Sequence, residues 1–175
     1  MFQQITSLLT PDEAKDLKDL GSLGRKRSDF SHNLIQKIAK RYQERVDGRE
    51  LVLESPSYWR CETRQQGHKW HFDGCRLING EFVDNHMAWC EYGTTALLTP
   101  SENFTGGNIY FEVEGEPQEV KDHYLNGVIY TAGKFNNPVR HMVEPHRGKR
   151  TVLLMFFATK PVSQDQLKGH NNGND

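Results

Sequence analysis

The residues best suited to chemistry in this sequence are two histidines and an aspartate found from residue 71 onward. His71 and Asp73 stand two positions apart in the segment HKWHFDG, which has the composition of a short β-strand. Side chains at positions i and i+2 of a strand project from the same face, so both can point into one cavity. Two histidines and one carboxylate on one face bind redox-active iron(II) and leave coordination positions open. The pair therefore requires a second histidine.

His141 is the candidate for that second histidine. A chain with eight histidines and 23 acidic residues holds about one His-x-acid pair by chance, so the first pair alone is a weak signal. His141 lies in VRHMVEPHRGKRTVLLMFF, near a late strand, and Arg150 follows nine residues later. A charge turned inward at the start of an apolar run needs an anion, and a guanidinium binds a carboxylate through two parallel hydrogen bonds. Lys149 is expected to point the opposite way.

The length and composition of the chain limit the classes of protein to which it can belong. A chain of 175 residues predicts one domain, and 35% hydrophobic with 26% charged residues predicts a folded one. Lysine plus arginine (22) nearly balances aspartate plus glutamate (23), so any nucleic-acid or anionic-membrane partner would need a local patch. The three cysteines lack CxxC spacing, and the N-terminus resembles neither a signal peptide nor a membrane span. These features favour a soluble, cytoplasmic protein.

The first third of the sequence predicts two helices. One begins at Thr10-Pro11-Asp12-Glu13, where Thr10 can cap and Glu13 can complete a capping box, and ends near Gly21. A second begins near Ser31 and carries an apolar stripe at helical spacing. The stripe is formed by Leu34, Ile35, Ile38, Ala39, Tyr42 and Val46.

From residue 51 onward, short β-rich runs separated by Gly, Pro, Asn and Asp predict two antiparallel sheets, as in jelly rolls. The runs are LVLE, YWRCETR, HKWHFD, TTALLT, GGNIYFEV, GVIYTA, VRHMV and RTVLLMFFA. Residues 74–90 interrupt them as a long connection, which is typical of lids and binding loops. The predicted organisation is one domain over 1–167, with helical support about 10–46, a core about 51–160 and a flexible tail over 168–175.

Four of these segments, in order, resemble the prolyl-4-hydroxylase-like branch of the 2-oxoglutarate/iron(II) dioxygenase superfamily. They are HFD at 71–73, LLTPSENFTGGNIYFEV, NGVIYTA and HMVEPHRGKRTVLLMFF. The resemblance covers roughly residues 58–160. Its specificity lies in the order: a His-x-Asp, an apolar strand and acidic turn closing in Gly106-Gly107, then a histidine with a basic residue nine later.

The resemblance implies a mainly β protein with N-terminal helices and a double-stranded β-helix (jelly-roll, cupin-like) core. By position it implies that His71, Asp73 and His141 bind iron(II), and that Arg150 anchors the distal carboxylate of 2-oxoglutarate. The implied reaction uses O2, with ascorbate as a further candidate reductant, and hydroxylates an unactivated C–H bond, releasing succinate and CO2.

Substrate and partners are less narrowly defined. The resemblance favours a protein or peptide side chain such as proline, while a free amino acid, a nucleobase or another small metabolite is the alternative. A non-catalytic jelly-roll metal-binding protein is a third reading. No nucleic-acid or membrane partner is expected, and the chain is expected to act as a monomer or homodimer.

The sequence departs from the family pattern at two places. Leu97 stands where family members often have a tyrosine that hydrogen-bonds the cosubstrate, so another hydroxyl is expected there. The candidates are Tyr92, Thr95 and Tyr130. The strand before the metal motif carries Arg60 and Arg64 in place of the usual tyrosine. Either arginine is a candidate to meet the cosubstrate or an acidic substrate, with a solvent-facing strand edge as the alternative.

The other histidines and the tryptophans have weaker claims. His68 is the rival to His71 as a lone ligand. Three more histidines are expected at the surface, the first of them within reach of substrate: His86, His123 and His146. Trp89 lies beside the long connection and is a candidate substrate contact, although packing is expected for all three tryptophans: Trp59, Trp70 and Trp89.

Overall fold

The first helix begins and ends as its sequence predicts. The computed structural model describes residues 1–21, 26–28, 32–46, 48–53, 58–121, 123–163 and 165–166. Helix α1 spans Pro11–Gly21. The Thr10 amide donates to Glu13 Oε2 at 3.0 Å, and the Glu13 amide donates to Thr10 Oγ1 at 3.2 Å. This reciprocal pair is the predicted capping box.

The second helix, α2, spans Asn33–Gln43 and is capped by the His32 side chain, which accepts from the Leu34 amide. The predicted start at Ser31 lies outside the described residues, as does the predicted tail over 168–175. The apolar stripe is confirmed, with its inner positions buried in one hydrophobic cluster: Ile35, Ile38, Ala39 and Tyr42. Val46 is buried too, although it lies beyond the end of the helix.

All pairings between strands in the described part of the chain are antiparallel. The strands are β1 (Phe2–Ile5), β2 (Lys26–Ser28), β3 (Tyr58–Glu62), β4 (His68–His71), β5 (Cys75–Ile78), β6 (Glu81–Asp84), β7 (Tyr92–Leu97), β8 (Phe104–Gly106), β9 (Ile109–Val113), β10 (Glu116–Glu119), β11 (Gly127–Thr131), β12 (His141–Val143), β13 (His146–Gly148) and β14 (Val152–Phe157). A six-stranded sheet has the order β1-β11-β7-β14-β3-β2, and a four-stranded sheet has the order β10-β9-β12-β4. Two two-stranded sheets complete the fold: β8 pairs with the distant β13, and β5 and β6 form a hairpin.

Alternation along β14 assigns the two faces of the large sheet. Leu153, Met155 and Phe157 pack into the cluster that contains the helices. The intervening residues line a cavity between the sheets: Val152, Leu154 and Phe156. Residues of β9 and β11 share a second cluster, so the two sheets pack against each other. The predicted jelly-roll core with helical support on one side is therefore confirmed.

Two segments differ from prediction. Residues 51–53 form no strand, and the Val52 amide donates to the Ala158 carbonyl at 2.8 Å. The connection over 74–90 is partly regular, because β5 and β6 form a hairpin within it. Its turn, Asn79-Gly80, has φ of 52° and 85°, as two-residue hairpins require. No helix in the described parts of the chain is long and apolar enough to cross a membrane.

Candidate metal and anion site

Two neighbouring strands of the small sheet bring the predicted histidines together. His71, the last residue of β4, pairs directly with His141, the first residue of β12. Asp73 follows β4, and its backbone carbonyl accepts from the Gly133 amide at 2.9 Å. Asp73 Oδ1 lies 3.7 Å from His71 Nε2, and Asp73 Oδ2 lies 3.7 Å from His141 Nε2. The ligand atoms of all three residues lie within 4.8 Å of one another.

These distances fit a metal ion better than direct ion pairing. At 3.7 Å the atoms are too far apart for hydrogen bonds, yet two ligands each about 2.1 Å from one ion are separated by at most about 4.2 Å. Among the described residues, this is the group of histidine, cysteine and acidic side chains with the geometry to hold a metal ion.

The backbone orients both imidazoles. His71 Nδ1 lies 2.7 Å from the Lys69 carbonyl, and His141 Nδ1 lies 3.1 Å from the Val139 carbonyl. A carbonyl can only accept, so each Nδ1 carries a proton, and Nε2 is the ring nitrogen that can bind a metal. Burial, followed by the neighbouring His71, lowers the pKa of His141 to about 4, so this imidazole is neutral at pH 7.

Asp73 is held as an anion. Burial alone would raise its pKa, but the two histidines and the Tyr130 hydroxyl outweigh that effect and leave the pKa below its usual value. The Tyr130 hydroxyl donates to Asp73 Oδ2 at 2.7 Å. Burial, and then Asp73, raise the pKa of Tyr130 well above its usual value, so it remains a donor. The hydrogen bond fixes the carboxylate, as partners of metal ligands do.

Arg150 faces the same cavity as the three candidate ligands. The cavity has a volume of about 70 Å³, which is room for several water molecules. Arg150 is only 4% exposed, and its Nε and Nη2 atoms have no hydrogen-bond partner among the described residues. Burial lowers the pKa of Arg150 to about 10, so it is still a cation at pH 7. An unpartnered buried cation is costly, and an anion in the cavity removes that cost. Lys149, as expected, is exposed.

Gly107 lets the chain pass against Arg150. Its φ is +74°, and a Cβ placed on it would lie 2.7 Å from Arg150 Cδ and 2.8 Å from Arg150 Nε. Gly106 pairs with His146, which aligns β8 beside β13. The paired glycines are therefore required by close approach to the arginine as well as by the turn.

The three hydroxyl candidates, Tyr92, Thr95 and Tyr130, have different surroundings in the structure. Thr95 is buried and lines the cavity with Arg150. Tyr130 also lines it, but its hydroxyl is engaged by Asp73. Tyr92 packs in the cluster beneath the helices, and its hydroxyl accepts from Arg49 Nη1 at 3.3 Å. It does not reach the cavity, because its place on β7 turns it to the opposite face.

The arginines of the preceding strand region face inward. Arg60 is 7% exposed and Arg64 is half-buried, and both line the cavity, so the solvent-edge alternative is wrong. Glu62, two residues after Arg60, faces the same way, as strand alternation requires. Trp89 lines neither cavity beside the candidate ligands and packs instead in an apolar cluster with Met87 and Phe156, so it is not placed to contact a molecule in either cavity.

Two histidines expected at the surface are enclosed. His146 is 5% exposed, because β13 pairs with β8 and brings the Phe104 ring to 6.3 Å from it. His123 is half-buried with its Nε2 enclosed, and burial, followed by Arg150, lowers its pKa to about 3. No local sequence pattern predicts the burial of either histidine, since both are enclosed by contacts between distant segments. His86 is half-buried.

His68 is not part of the candidate ligand group. Its ring lies 3.7 Å from that of His71, centroid to centroid, but its position on β4 leaves the side chain exposed.

The fold and this cluster together define a double-stranded β-helix with a His-Asp-His group in its cavity. No family model matches the sequence, and no curated protein matches it. Solved structures do. A viral collagen prolyl hydroxylase from Paramecium Bursaria Chlorella virus-1, described as a 2OG complex, aligns at a TM-score of 0.61 with 13% identity, over 91% of this chain and 96% of that one.

Two further structures are similar. A Pseudomonas putida prolyl-4-hydroxylase aligns at a TM-score of 0.57 with 15% identity, over 91% of this chain and 93% of that one. A Trichoplax adhaerens prolyl hydroxylase, in complex with a hypoxia inducible factor oxygen degradation domain peptide fragment, is also similar. It aligns at a TM-score of 0.57 with 11% identity, over 99% of this chain and 87% of that one. At these identities the likeness establishes the fold. The chain has the fold of the prolyl-4-hydroxylase-like oxygenases, as its sequence predicted.

Proposed function

We propose that this protein is a 2-oxoglutarate- and iron(II)-dependent dioxygenase that hydroxylates an unactivated C–H bond. One observation carries the proposal: the candidate ligands and the unpartnered, buried Arg150 face a single small cavity. A metal site alone explains the ligands but not the cation. A cosubstrate that chelates iron at one end and presents a carboxylate at the other explains both.

The proposed roles follow from the side chains. His71, Asp73 and His141 hold iron(II), and the Tyr130 hydroxyl keeps the carboxylate in place. Arg150 binds the distal carboxylate of 2-oxoglutarate, which fixes the orientation of the bound cosubstrate.

Thr95 is the proposed hydroxyl partner of that carboxylate, because it is the candidate that lines the cavity without an acidic partner. With iron, 2-oxoglutarate and O2 bound, the site supplies an oxidation that yields hydroxylated substrate, succinate and CO2. Ascorbate is the proposed accessory reductant.

A protein or peptide side chain, such as proline, is the proposed substrate. The Trichoplax adhaerens structure contains a peptide, and the site of this chain opens on a larger cavity beyond the ligands. Free amino acids and other small metabolites are the alternative.

Anaerobic titration tests the activity. Adding iron(II) and then 2-oxoglutarate to the protein is expected to give the weak visible charge-transfer band of the chelate, followed by succinate formation when O2 is admitted. Folded protein that binds iron(II) but gives neither the band nor succinate would favour the non-catalytic metal-binding alternative.

Gly107→Ala is expected to weaken 2-oxoglutarate binding by about tenfold or more, since overpacking typically costs about 1–3 kcal/mol. The new methyl group would displace the Arg150 side chain. Calorimetric titration of the anaerobic iron(II) protein measures the change. Gly115→Ala is the matched control, because Gly115 has a φ of +86° but open space around it. Equal losses in the two variants would mean that backbone strain, and not contact with Arg150, is responsible.

A further inference from the structure

A second cavity lies on the other side of the candidate ligands. Its volume is about 530 Å³, and it shares four lining residues with the inner cavity: Arg60, His68, His71 and Asp73. The β5-β6 hairpin borders it through Arg76 and Leu77. A molecule in this outer cavity would lie beside the metal without displacing one bound at Arg150, so the outer cavity is where a substrate fits.

The outer cavity is basic, although the whole chain is nearly neutral with a formal net charge of −1. Three arginines line it, at the base and at the mouth: Arg60, Arg76 and Arg140. Asp73, a candidate metal ligand, is the one carboxylate among the described lining residues. A bound iron(II) ion would more than cancel that charge. The local field therefore favours an anion.

The buried guanidinium of Arg60 is the strongest evidence for an anion site in this cavity. It is 7% exposed, and its Nε and Nη1 atoms are buried without a hydrogen-bond partner among the described residues. Glu62 Oε2 lies 3.2 Å from Arg60 Nε, which offsets part of the charge. The guanidinium also lies over the Phe156 ring, 5.5 Å from its centroid. Arg60 is thus a packed cation with unused donors at the boundary between the two cavities.

Arg140 is held at the mouth of the cavity. Its guanidinium lies over the Trp70 ring, 5.4 Å from the centroid, and its Nη1 donates to Glu112 Oε2 at 3.0 Å. Glu112 itself is not part of the cavity wall. Stacking on the ring restricts the arginine before any ligand arrives, which lowers the entropic cost of binding. Arg76 is exposed on β5.

We propose that the outer cavity binds a carboxylate of the substrate, close to the carbon that is hydroxylated. Arg60 receives this carboxylate at the base, while Arg76 and Arg140 attract it at the mouth. This inference rests on the proposed function for the reaction, but the anion site stands on the arginines alone. The carboxylate belongs either to a small acid or to an acidic residue of a peptide.

Calorimetric titration of the anaerobic iron(II) protein, saturated with 2-oxoglutarate, tests the proposal with two matched pairs of probes. One pair is the N-methylamides of N-acetylaspartate and N-acetylasparagine. The other is a blocked pentapeptide with a glutamate on each side of a proline, and the same peptide with glutamines. In at least one pair, the acidic member is expected to bind about tenfold more tightly at low salt, with the advantage shrinking as salt rises. The pair that responds identifies a small acid or a peptide as the source.

Single-residue variants test which arginines cause the preference for acidic probes. Arg76→Gln and Arg140→Gln, both at exposed positions, are each expected to reduce the acidic preference severalfold while leaving 2-oxoglutarate affinity unchanged. Arg45→Gln, an exposed arginine beyond the end of α2, is the matched control and is expected to change neither. Arg60→Gln, with Arg60→Lys as the conservative variant and circular dichroism to verify folding, is expected to remove most of the preference.

Equal affinity for acidic and neutral probes in both pairs would overturn the proposal, as would a preference that none of the three arginine variants reduces. An Arg60→Gln protein that loses 2-oxoglutarate affinity but keeps its acidic preference would overturn the role of Arg60. The proposed function fails separately, through absence of 2-oxoglutarate binding in the unmodified protein. Normal cosubstrate binding without an acidic preference therefore refutes this inference alone.

Discussion

Asp73→Ala is expected to weaken iron(II) binding by at least about 100-fold and to abolish succinate formation. Asp73 supplies the one negative charge of the candidate ligand group, and its oxygens lie 3.7 Å from both imidazole Nε2 atoms. Without it, two histidines remain, and neither supplies the negative charge that offsets the charge of the ion. His141→Ala is expected to have a similar effect, because only His71 and Asp73 would then remain to bind the ion.

Iron(II) affinity, measured anaerobically with a competing chelator, checks this prediction independently of turnover. Circular dichroism and thermal unfolding of the metal-free variants show whether the fold is kept. Asp12→Ala is the control, since Asp12 is exposed in the first turn of α1. An Asp73→Ala protein that binds iron(II) normally would refute the ligand assignment.

Arg150→Ala is expected to weaken 2-oxoglutarate binding by about 100-fold or more while leaving iron(II) binding intact. Hydrogen bonds to charged groups are worth about 1.5–3 kcal/mol each, and a guanidinium can make two of them to one carboxylate. Arg150→Lys keeps the charge but loses the paired geometry, so an intermediate loss is expected.

Titration of the iron(II) variants with 2-oxoglutarate, followed by the visible band, measures this effect. Lys149→Ala is a close control, because Lys149 adjoins Arg150 in sequence but is exposed. If Arg150→Ala bound 2-oxoglutarate as tightly as the unmodified protein, the cavity would hold the cosubstrate elsewhere. Arg60 and Arg64 line the same cavity and would be the next candidates.

Much of the fold follows from local pattern. The capping box at Thr10 and Glu13 and the stripe from Ile35 to Tyr42 depend on neighbours within one helix, so spacing alone predicted them. Residues 51–53 have strand composition but form no strand, because contacts with distant parts of the chain decide which segments pair. The β5-β6 hairpin lies inside residues 74–90, which were expected to form a long connection. Its turn, Asn79-Gly80, is a local sequence signal for a hairpin.

The candidate site, like the fold, has features that the sequence predicts and features that depend on long-range contacts. The candidate side chains could be chosen from sequence alone, since the spacing of His71 and Asp73 and the interval from His141 to Arg150 do not depend on how the strands pair. The surroundings of these side chains, in contrast, depend on the folded chain. Strand pairing set His71 against His141, directed the Tyr130 hydroxyl to Asp73, and placed Arg60 between two cavities. Those contacts join residues far apart in the chain, and long-range register is not encoded in any one segment.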